Sequence, residues 1–253
     1  TKNLPDVAVV PSEHFNTVLY NGSSSTPLAV TGVGFSPDMT WLKARSTGWG
    51  TGAFTRLNGT GAGSGYKYMF TNTTAVESDQ WGAITFDSDG FTGVSSGYNG
   101  SFAHDFGGNG QTFVAWNWKA NGSGSSNTNG SINSTVSANT DAGFSIVSFA
   151  GDGGVDTIGH GLSKAPELMI LKNRDSSSSN WITWTKDLAT NHNFSLNLTN
   201  PSSANGQYFF GDGTNMTVPT STVFTVGNNS QVNNSGDNTI AYCFHSVDGY
   251  SKV

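Results

Sequence analysis

The chain contains two similar stretches, and this internal repeat constrains the fold more than any other feature of the sequence. Residues 15–22 (FNTVLYNG) are similar to residues 144–151 (FSIVSFAG), and residues 109–118 (NGQTFVAWNW) are similar to residues 235–244 (SGDNTIAYCF). Self-similarity at a long period indicates repeated structural units. The sequence therefore predicts two tandem domains that are related by internal duplication.

Composition indicates a folded chain with a polar but weakly charged surface. Only 11% of its 253 residues are charged, against about 25% in an average protein. Aromatic residues make up 12%, more than disordered segments contain. The net charge of -6 disfavours binding to nucleic acid or to anionic lipid. No stretch has the roughly 20 apolar residues that cross a bilayer, so we expect neither nucleic acid nor membrane insertion.

Short β-branched and aromatic runs, bounded by turn residues, follow one another along the chain and are typical of β-strands. They predict strands near residues 15–20, 28–33, 38–44, 52–56, 66–70, 82–86, 90–94 and 111–118, and again near 143–149, 155–158, 167–172, 181–185, 194–198, 207–210, 222–226 and 238–246. Residues 187–192 are compatible with one turn of helix, although their helical period is not sustained. This pattern predicts an all-β fold of two tandem β-sandwich, jelly-roll-like domains.

Changes in composition divide the chain into four parts. Residues 1–13 contain two prolines and are expected to form an extended arm. Residues 14–120 and 142–253 each form one predicted sandwich. Residues 121–141 are rich in Gly, Ser and Asn and form a predicted flexible linker, in which 131–136 have the composition to pair with a sheet edge. The first residues resemble neither a normal start nor a signal peptide, so we expect a piece of a longer protein.

Each copy carries a Lys-x-Arg motif, with Lys43 and Arg45 in the first copy and Lys172 and Arg174 in the second. Residues two apart on a strand share a face, so each motif places two cations side by side. One hypothesis is a site for a small anion or a carboxylate-bearing sugar, repeated once per domain. The alternative is a strand end or outer face, where long basic side chains cover apolar surface and keep the strand soluble.

Aromatic residues fall into two groups. Trp41, Trp116 and Trp118 lie within predicted strands and are interpreted as core or sheet-face residues. The second group lies nearer loops and weaker strands, where aromatic rings stack on sugars or fill a partner interface. The predicted glycan- or partner-binding residues are Trp49, Trp81, Tyr98, Phe102, Trp181 and Trp184. Tyr98 and Phe102 belong to an insertion at residues 97–106 that the second copy lacks.

Acidic residues, histidines and the cysteine show no catalytic or metal-binding pattern. Asp87 and Asp89 have the oxygen ligands that calcium prefers, but Asp-Gly is also a strong hairpin turn, and we favour the turn. We interpret Asp152, Asp156 and Asp212 in the same way. The five histidines lack metal-site spacing, and Cys243 in an apolar run indicates packing. We therefore expect no catalytic residue, no metal site and no cofactor, with calcium as the alternative left open.

Several motifs together resemble a known family. They are HFNTVLYNG (residues 14–22), TGVGFSPDMTWLKAR (31–45), FDSDGF (86–91), FVAWNWK (113–119) and IAYCFHSVDGYSK (240–252). They resemble a domain of unknown function found in structural and tail-fibre-like proteins of tailed bacteriophages, especially marine and cyanobacterial ones. That resemblance implies a fragment of a longer fibre or virion protein. The family has no assigned chemistry, so the resemblance implies no particular binding residue.

The repeat, the low charge and the resemblance lead to one main expectation about function. We expect a non-enzymatic structural or adhesion module of a phage virion or tail fibre, located at the virion surface. Its expected partners are other virion or fibre subunits, in a homo-oligomer such as a trimer, and a host surface. The first alternative is a lectin-like carbohydrate-binding module. The second is a polysaccharide depolymerase, which requires two carboxylates about 5 to 9.5 Å apart.

Overall fold

The computed structural model of the protein describes residues 9–23, 26–48, 51–94, 102 and 105–253. Within these residues the architecture is all-β, which confirms the predicted fold class. Antiparallel sheets of five, three, seven and two strands are packed in layers, and the helices are single turns. The first half of the chain supplies the sheets of five and three strands, and the second half supplies the other two.

The first half forms a sandwich of two sheets. Its strands are β1 (Phe15–Asn21), β2 (Leu28–Thr31), β3 (Met39–Ala44), β4 (Thr51–Thr55), β5 (Tyr68–Phe70), β6 (Ala83–Asp87), β7 (Gly90–Val94) and β8 (Thr112–Trp118). The larger sheet has the order β1-β8-β3-β4-β5, and the smaller has the order β2-β7-β6. Leu42 and Phe54 of the larger sheet pack with Val30 and Phe91 of the smaller, because side chains on one face of each strand point between the sheets.

The second half has the same two-layer plan. Its strands are β9 (Ser125–Asn127), β10 (Ser134–Asn139), β11 (Phe144–Ala150), β12 (Asp156–Gly159), β13 (Leu168–Asn173), β14 (Ile182–Thr185), β15 (Phe194–Ser195), β16 (Val223–Val226) and β17 (Asn238–Phe244), and its helical turns are α1 (Gly206–Phe209) and α2 (Ser230–Asn233). The larger sheet has the order β15-β14-β13-β17-β11-β10-β9, and β12 pairs with β16. Val147 and Leu171 of the larger sheet pack with Ile158 and Phe224 of the smaller.

Corresponding strands occupy corresponding places in the two larger sheets. Strands β1, β8, β3 and β4 follow one another in the same order as β11, β17, β13 and β14. In the first sheet Phe15 pairs with Trp118. Their sequence equivalents in the second sheet, Phe144 and Phe244, pair in the same way. The register of β3 on β8 also agrees with that of β13 on β17, so the sequence similarity coincides with the strand pairing.

The two larger sheets also pack against each other through a third hydrophobic cluster. It contains Met39, Ala53, Met69 and Ala120 of the first half and Phe144, Ile146, Ile170, Trp181, Ile240 and Tyr242 of the second. The face of each larger sheet that is turned away from its own core is thus buried in part against the other half. The order of layers is small sheet, large sheet, large sheet, small sheet, and the halves are joined by a shared core.

The predicted flexible linker contains two strands. Residues 125–127 and 134–139 form β9 and β10, and β10 pairs with β11 along its whole length. Ser137 fixes the start of the segment, because its hydroxyl accepts a hydrogen bond from the Asn121 N–H and donates one to the Gly122 carbonyl. The prediction of flexibility was therefore wrong here, whereas the expected pairing of residues 131–136 with a sheet edge is observed at 134–136. Composition misled because polar residues also form strands here: β9 is the exposed edge strand, and β10 is paired on both sides.

Two smaller expectations are also corrected. The strand predicted at 207–210 is the helical turn α1, in which Phe209 is 8% exposed and Phe210 is fully buried. A strand would send these neighbouring side chains to opposite faces, whereas the turn places both in the core. The compatible helix at 187–192 is absent, and those residues form turns. In the predicted arm, Pro11–Glu13 form a 3₁₀ turn, and residues 1–8 lie outside the described part.

Candidate functional site

The Lys172 side chain of the second Lys-x-Arg motif is buried and bound to the protein itself. Its Nζ atom lies 2.8 Å from the Asn173 carbonyl oxygen, 2.9 Å from that of Ser179 and 3.2 Å from that of Thr74. Burial lowers the pKa of Lys172 to about 8. Thr74 belongs to the first half, so Lys172 links the two halves of the chain.

Arg174 makes a second link between the halves. Its Nε and Nη2 atoms donate to the two carboxylate oxygens of Glu77, each at 3.0 Å, in the bidentate geometry that gives strong, directional pairs. The Arg174 carbonyl accepts a hydrogen bond from the Glu77 N–H, and the Glu77 carboxylate also accepts one from the Gly59 N–H. Both side chains of the pair are only 10% exposed.

These contacts correct both predictions for the second motif. Lys172 and Arg174 are neither an open anion site nor a solubilising strand end, because carbonyl groups and Glu77 surround them. The first motif is different: Lys43 is half-buried and Arg45 is exposed. The binding of a small anion by Lys43 and Arg45 therefore stays a prediction.

Three predicted glycan-binding aromatic residues lie in hydrophobic cores. Trp181 is 1% exposed, stacks on Tyr242 at a centroid distance of 6.2 Å, and donates from Nε1 to the Phe70 carbonyl. Trp184 is 4% exposed in the core of the second half, and Phe102 is fully buried in that of the first. The prediction that these residues contact a glycan was wrong, because each fills a space between sheets.

The other predicted aromatic residues are not placed in a binding site. Trp81 is half-buried and packs against the core of the first half. Trp49 and Tyr98 lie outside the described residues, as does most of the insertion at 97–106. The end of that insertion is anchored, because Phe106 is buried and its carbonyl accepts a hydrogen bond from the Tyr20 hydroxyl at 2.6 Å.

The Asp-Ser-Asp-Gly motif forms the predicted turn between β6 and β7. Asp87 accepts a hydrogen bond from the Thr92 hydroxyl. Asp89 accepts one from the Gly34 N–H at 2.6 Å and one from the Gly32 N–H at 3.1 Å, and these bonds lower the pKa of Asp89. Gly32 and Gly34 have φ values of 89° and 87°, which glycine adopts without strain. Asp89 therefore holds the Gly-x-Gly turn.

His160 holds the equivalent turn of the second half. It occupies the place of Val33 and is fully buried. Its Nδ1 accepts a hydrogen bond from the Leu162 N–H, so Nε2 carries the proton and donates to the Thr220 carbonyl, both at 3.1 Å. Burial lowers the pKa of His160 to about 4. The imidazole is thus neutral and structural at neutral pH.

The remaining acidic residues and the cysteine have structural contacts. Asp152 and Asp212 accept backbone N–H bonds within their own turns, and Asp156 accepts a bond from Ser131. Cys243 is fully buried, and burial raises its pKa to about 12. Among the described residues, no group of three or more His, Cys, Asp or Glu side chains is close enough to hold a metal ion.

One cleft lies at the margin between the two halves. It has a volume of about 360 Å³ and is lined by Trp41, Lys43, Thr51, Thr71, Asn72, Trp116, Leu196 and Asn197. Trp41 and Trp116 are cross-strand neighbours on β3 and β8, and both are half-buried. They were interpreted as core or sheet-face residues, and both lie on a sheet face, where Trp41 also packs against the shared core. The positions of these two tryptophans in the sequence did not indicate that this part of the sheet face is left open.

Other clefts have fewer features of a binding site. One near the end of the chain is lined by Trp118, Phe144 and Tyr250, and one of about 400 Å³ is lined by Asn193, Asn200 and Asn205. A third contains Glu167, which pairs with Lys186. In none of these four clefts of the described chain do two Asp or Glu side chains meet. No described helix is long and apolar enough to span a membrane.

The layered sheets and the aromatic cleft define an all-β protein of the β-sandwich-like class. Within that class, the chain belongs to the family described as Domain of unknown function (DUF7483), which matches residues 10–253. No curated protein and no solved structure matches the chain. The family description assigns no activity to the chain.

Proposed function

We propose that this chain is a non-enzymatic structural and adhesion module of a bacteriophage virion or tail fibre, located at the particle surface. The shared core carries the proposal, since it packs the two sandwiches together in one body. A closely packed, weakly charged body suits a component that transmits force and presents loops to another surface. The motifs that resemble tail-fibre-like proteins support the same role.

We also propose that the two halves arose by internal duplication. The common strand order and register of the larger sheets support this origin, together with the repeated sequence stretches. A duplicated module extends a fibre without a new fold. We expect the intact protein that contains this chain to assemble with other fibre subunits as a homo-oligomer such as a trimer, by analogy with phage fibres. If light scattering at high concentration showed only monomers of that protein, the expected assembly would be contradicted.

A carbohydrate-binding module is the second candidate. The cleft beside Trp41 and Trp116 favours it, because aromatic rings next to amide and hydroxyl groups suit sugars. A polysaccharide depolymerase has no support from the four clefts described, since it needs a pair of carboxylates at one cleft. The lectin-like role is compatible with adhesion, because a host surface presents glycans.

Immunogold labelling and adsorption competition test the main proposal. Antibodies raised against the full chain should label the tail or fibre of intact particles. An excess of the purified, folded chain should reduce the adsorption of those particles to host cells, whereas heat-unfolded chain should not. Absence of label overturns the virion assignment. Label without competition retains the structural role and removes adhesion.

A further inference from the structure

We propose that the cleft formed by Trp41, Trp116, Lys43 and Asn72 binds a pyranose sugar that carries a carboxylate, such as a uronic acid unit of a surface polysaccharide. The inference rests on the adhesion role proposed above and names its ligand. The cleft volume of about 360 Å³ lies within the roughly 300–1,000 Å³ typical of ligand sites. The site is built by both halves, since Leu196 and Asn197 of the second half contribute to a lining that is otherwise from the first half.

The two indole rings provide an apolar platform. Trp41 and Trp116 lie directly opposite each other on neighbouring antiparallel strands, so their side chains stand side by side on one face. Each ring is only half-buried, which leaves part of its surface in the cleft. The face of an aromatic ring carries partial negative charge, and the C–H groups on one side of a pyranose are its complement.

Neutral polar groups surround the platform. Asn197 is held in one orientation, because its Oδ1 accepts from the Trp181 N–H and its Nδ2 donates to Asn180, each at 2.9 Å. The Thr71 hydroxyl donates to the Thr51 carbonyl, so its lone pairs serve as acceptors. Asn72 is exposed at the rim. Amide and hydroxyl groups provide both donors and acceptors, and sugar hydroxyls both donate and accept.

The charge of the cleft favours an acidic sugar over a neutral one. Among the described residues that line the cleft, Lys43 carries the positive charge and none is Asp or Glu. A carboxylate on the sugar ring would therefore meet a positive potential in a partly desolvated place, where charge pairing is stronger than in water. Hydrogen bonds to a charged group also contribute more than bonds between neutral groups.

The second half has no equivalent cleft. Its counterparts of Trp41 and Trp116 are Ile170 and Tyr242, which are 8% and 1% exposed in the shared core. Trp181 stacks on Tyr242 and covers this face. The Lys172 ammonium, at the place of Lys43, is bound to carbonyl groups. Sugar recognition is thus a property of the first half, because the corresponding sheet face of the second half is buried.

A glycan array followed by calorimetric titration tests the inference on the full chain. Wild-type protein should bind uronic-acid glycans more tightly than neutral glycans with the same linkage. Trp116→Ala should weaken binding about tenfold, and Asn72→Ala about threefold to tenfold. Lys43→Gln should weaken binding of the acidic glycan and leave that of the neutral one unchanged. Tyr208→Ala is the matched control, because Tyr208 is an aromatic residue that is 46% exposed elsewhere.

Several results would overturn the inference. One is that the wild-type protein binds no pyranose glycan on the array. Another is that binding is unchanged in both the Trp116→Ala and the Asn72→Ala variants. Equal affinity for acidic and neutral glycans would overturn the acidic assignment. Thermal unfolding of each variant distinguishes a lost site from a lost fold, and exposed Asn72 retains the test if Trp116→Ala unfolds. If wild type and Trp116→Ala compete equally for host adsorption, the cleft assignment fails while adhesion stands; if neither competes, adhesion fails.

Discussion

Identical Lys-x-Arg motifs have different surroundings in the two halves. Arg45 is exposed, whereas Arg174 is paired with Glu77 across the shared core. Glu77 lies 97 residues away from Arg174 in the sequence, so no local sequence pattern predicts the pair. Because both side chains are largely buried, the pair is maintained by mutual neutralisation. Removing one partner leaves an uncompensated charge, which costs more than the pair itself contributes.

Arg174→Ala should therefore destabilise the protein by about 3–5 kcal/mol, measured as the free energy of unfolding in urea. The Glu77 carboxylate would keep the Gly59 N–H as a donor and lose both guanidinium bonds. Arg45→Ala removes the equivalent but exposed side chain and should change the stability by no more than about 0.5 kcal/mol. Equal effects of the two substitutions would contradict the structural role of Arg174.

Equivalent turns are fixed by different side chains in the two halves. Asp89 accepts the N–H groups of Gly32 and Gly34, whereas His160 bonds Leu162 and Thr220 from within its own turn. The backbone path is common to both turns, and the means of holding it differ. The first half has Val33 at the place of His160, and the contacts of His160 explain why a histidine is present in the second half.

The His160 turn should make stability depend on pH. The pKa of His160 is lowered from 6.5 to about 4 in the folded protein, so the unfolded chain binds the extra proton first as the pH falls. Stability is then complete above pH 6.5 and decreases toward pH 4, by about 3 kcal/mol. Protonation of Nδ1 would also break its bond from the Leu162 N–H.

Measurements of the unfolding free energy of wild type and of His160→Val, at intervals from about pH 7.5 to about pH 4, would check this. Valine is the residue at the equivalent place in the first half. The wild type should lose stability relative to the variant across this range, because the other titrating groups are common to both. Parallel curves would show that His160 does not titrate in this range.

At the scale of the whole molecule, the shared core makes the halves interdependent. Unfolding either half would expose the cluster that includes Met39 and Met69 on one side and Ile170 and Tyr242 on the other. Exposure of that apolar area costs free energy roughly in proportion to the area. The described chain should therefore unfold in one cooperative transition, although it contains two sandwiches.

Pulse labelling of cysteine tests this cooperativity. Cys243 is buried in the core of the second half, and its raised pKa keeps the thiol protonated, so we expect labelling only after unfolding. A variant with Ala115→Cys and Cys243→Ala moves the reporter to the core of the first half. In each protein, the labelling midpoint in urea should coincide with the midpoint of tryptophan fluorescence. Two separate midpoints would show that the halves are independent.

The candidate cleft was only partly predictable. The hypothesis of an acidic sugar at Lys43 followed from the Lys-x-Arg motif, and aromatic stacking was expected from tryptophans. The aromatic residues chosen were those near loops, and Trp181, Trp184 and Phe102 are buried instead. Trp41 and Trp116 lie in strands, where sequence cannot tell an open part of a face from a covered one.

The sequence by itself determined the all-β class, the places of most strands and the similar order of the two halves, because alternating apolar residues and turn residues act locally. The tertiary structure alone decided what covers the outer face of each large sheet. An apolar face demands burial, but its pattern does not identify the surface that buries it. Packing of the halves thus buried Arg174 and Trp181 and left Trp41 and Trp116 beside a cleft, while pairing within the second half incorporated residues 125–127 and 134–139 into its large sheet.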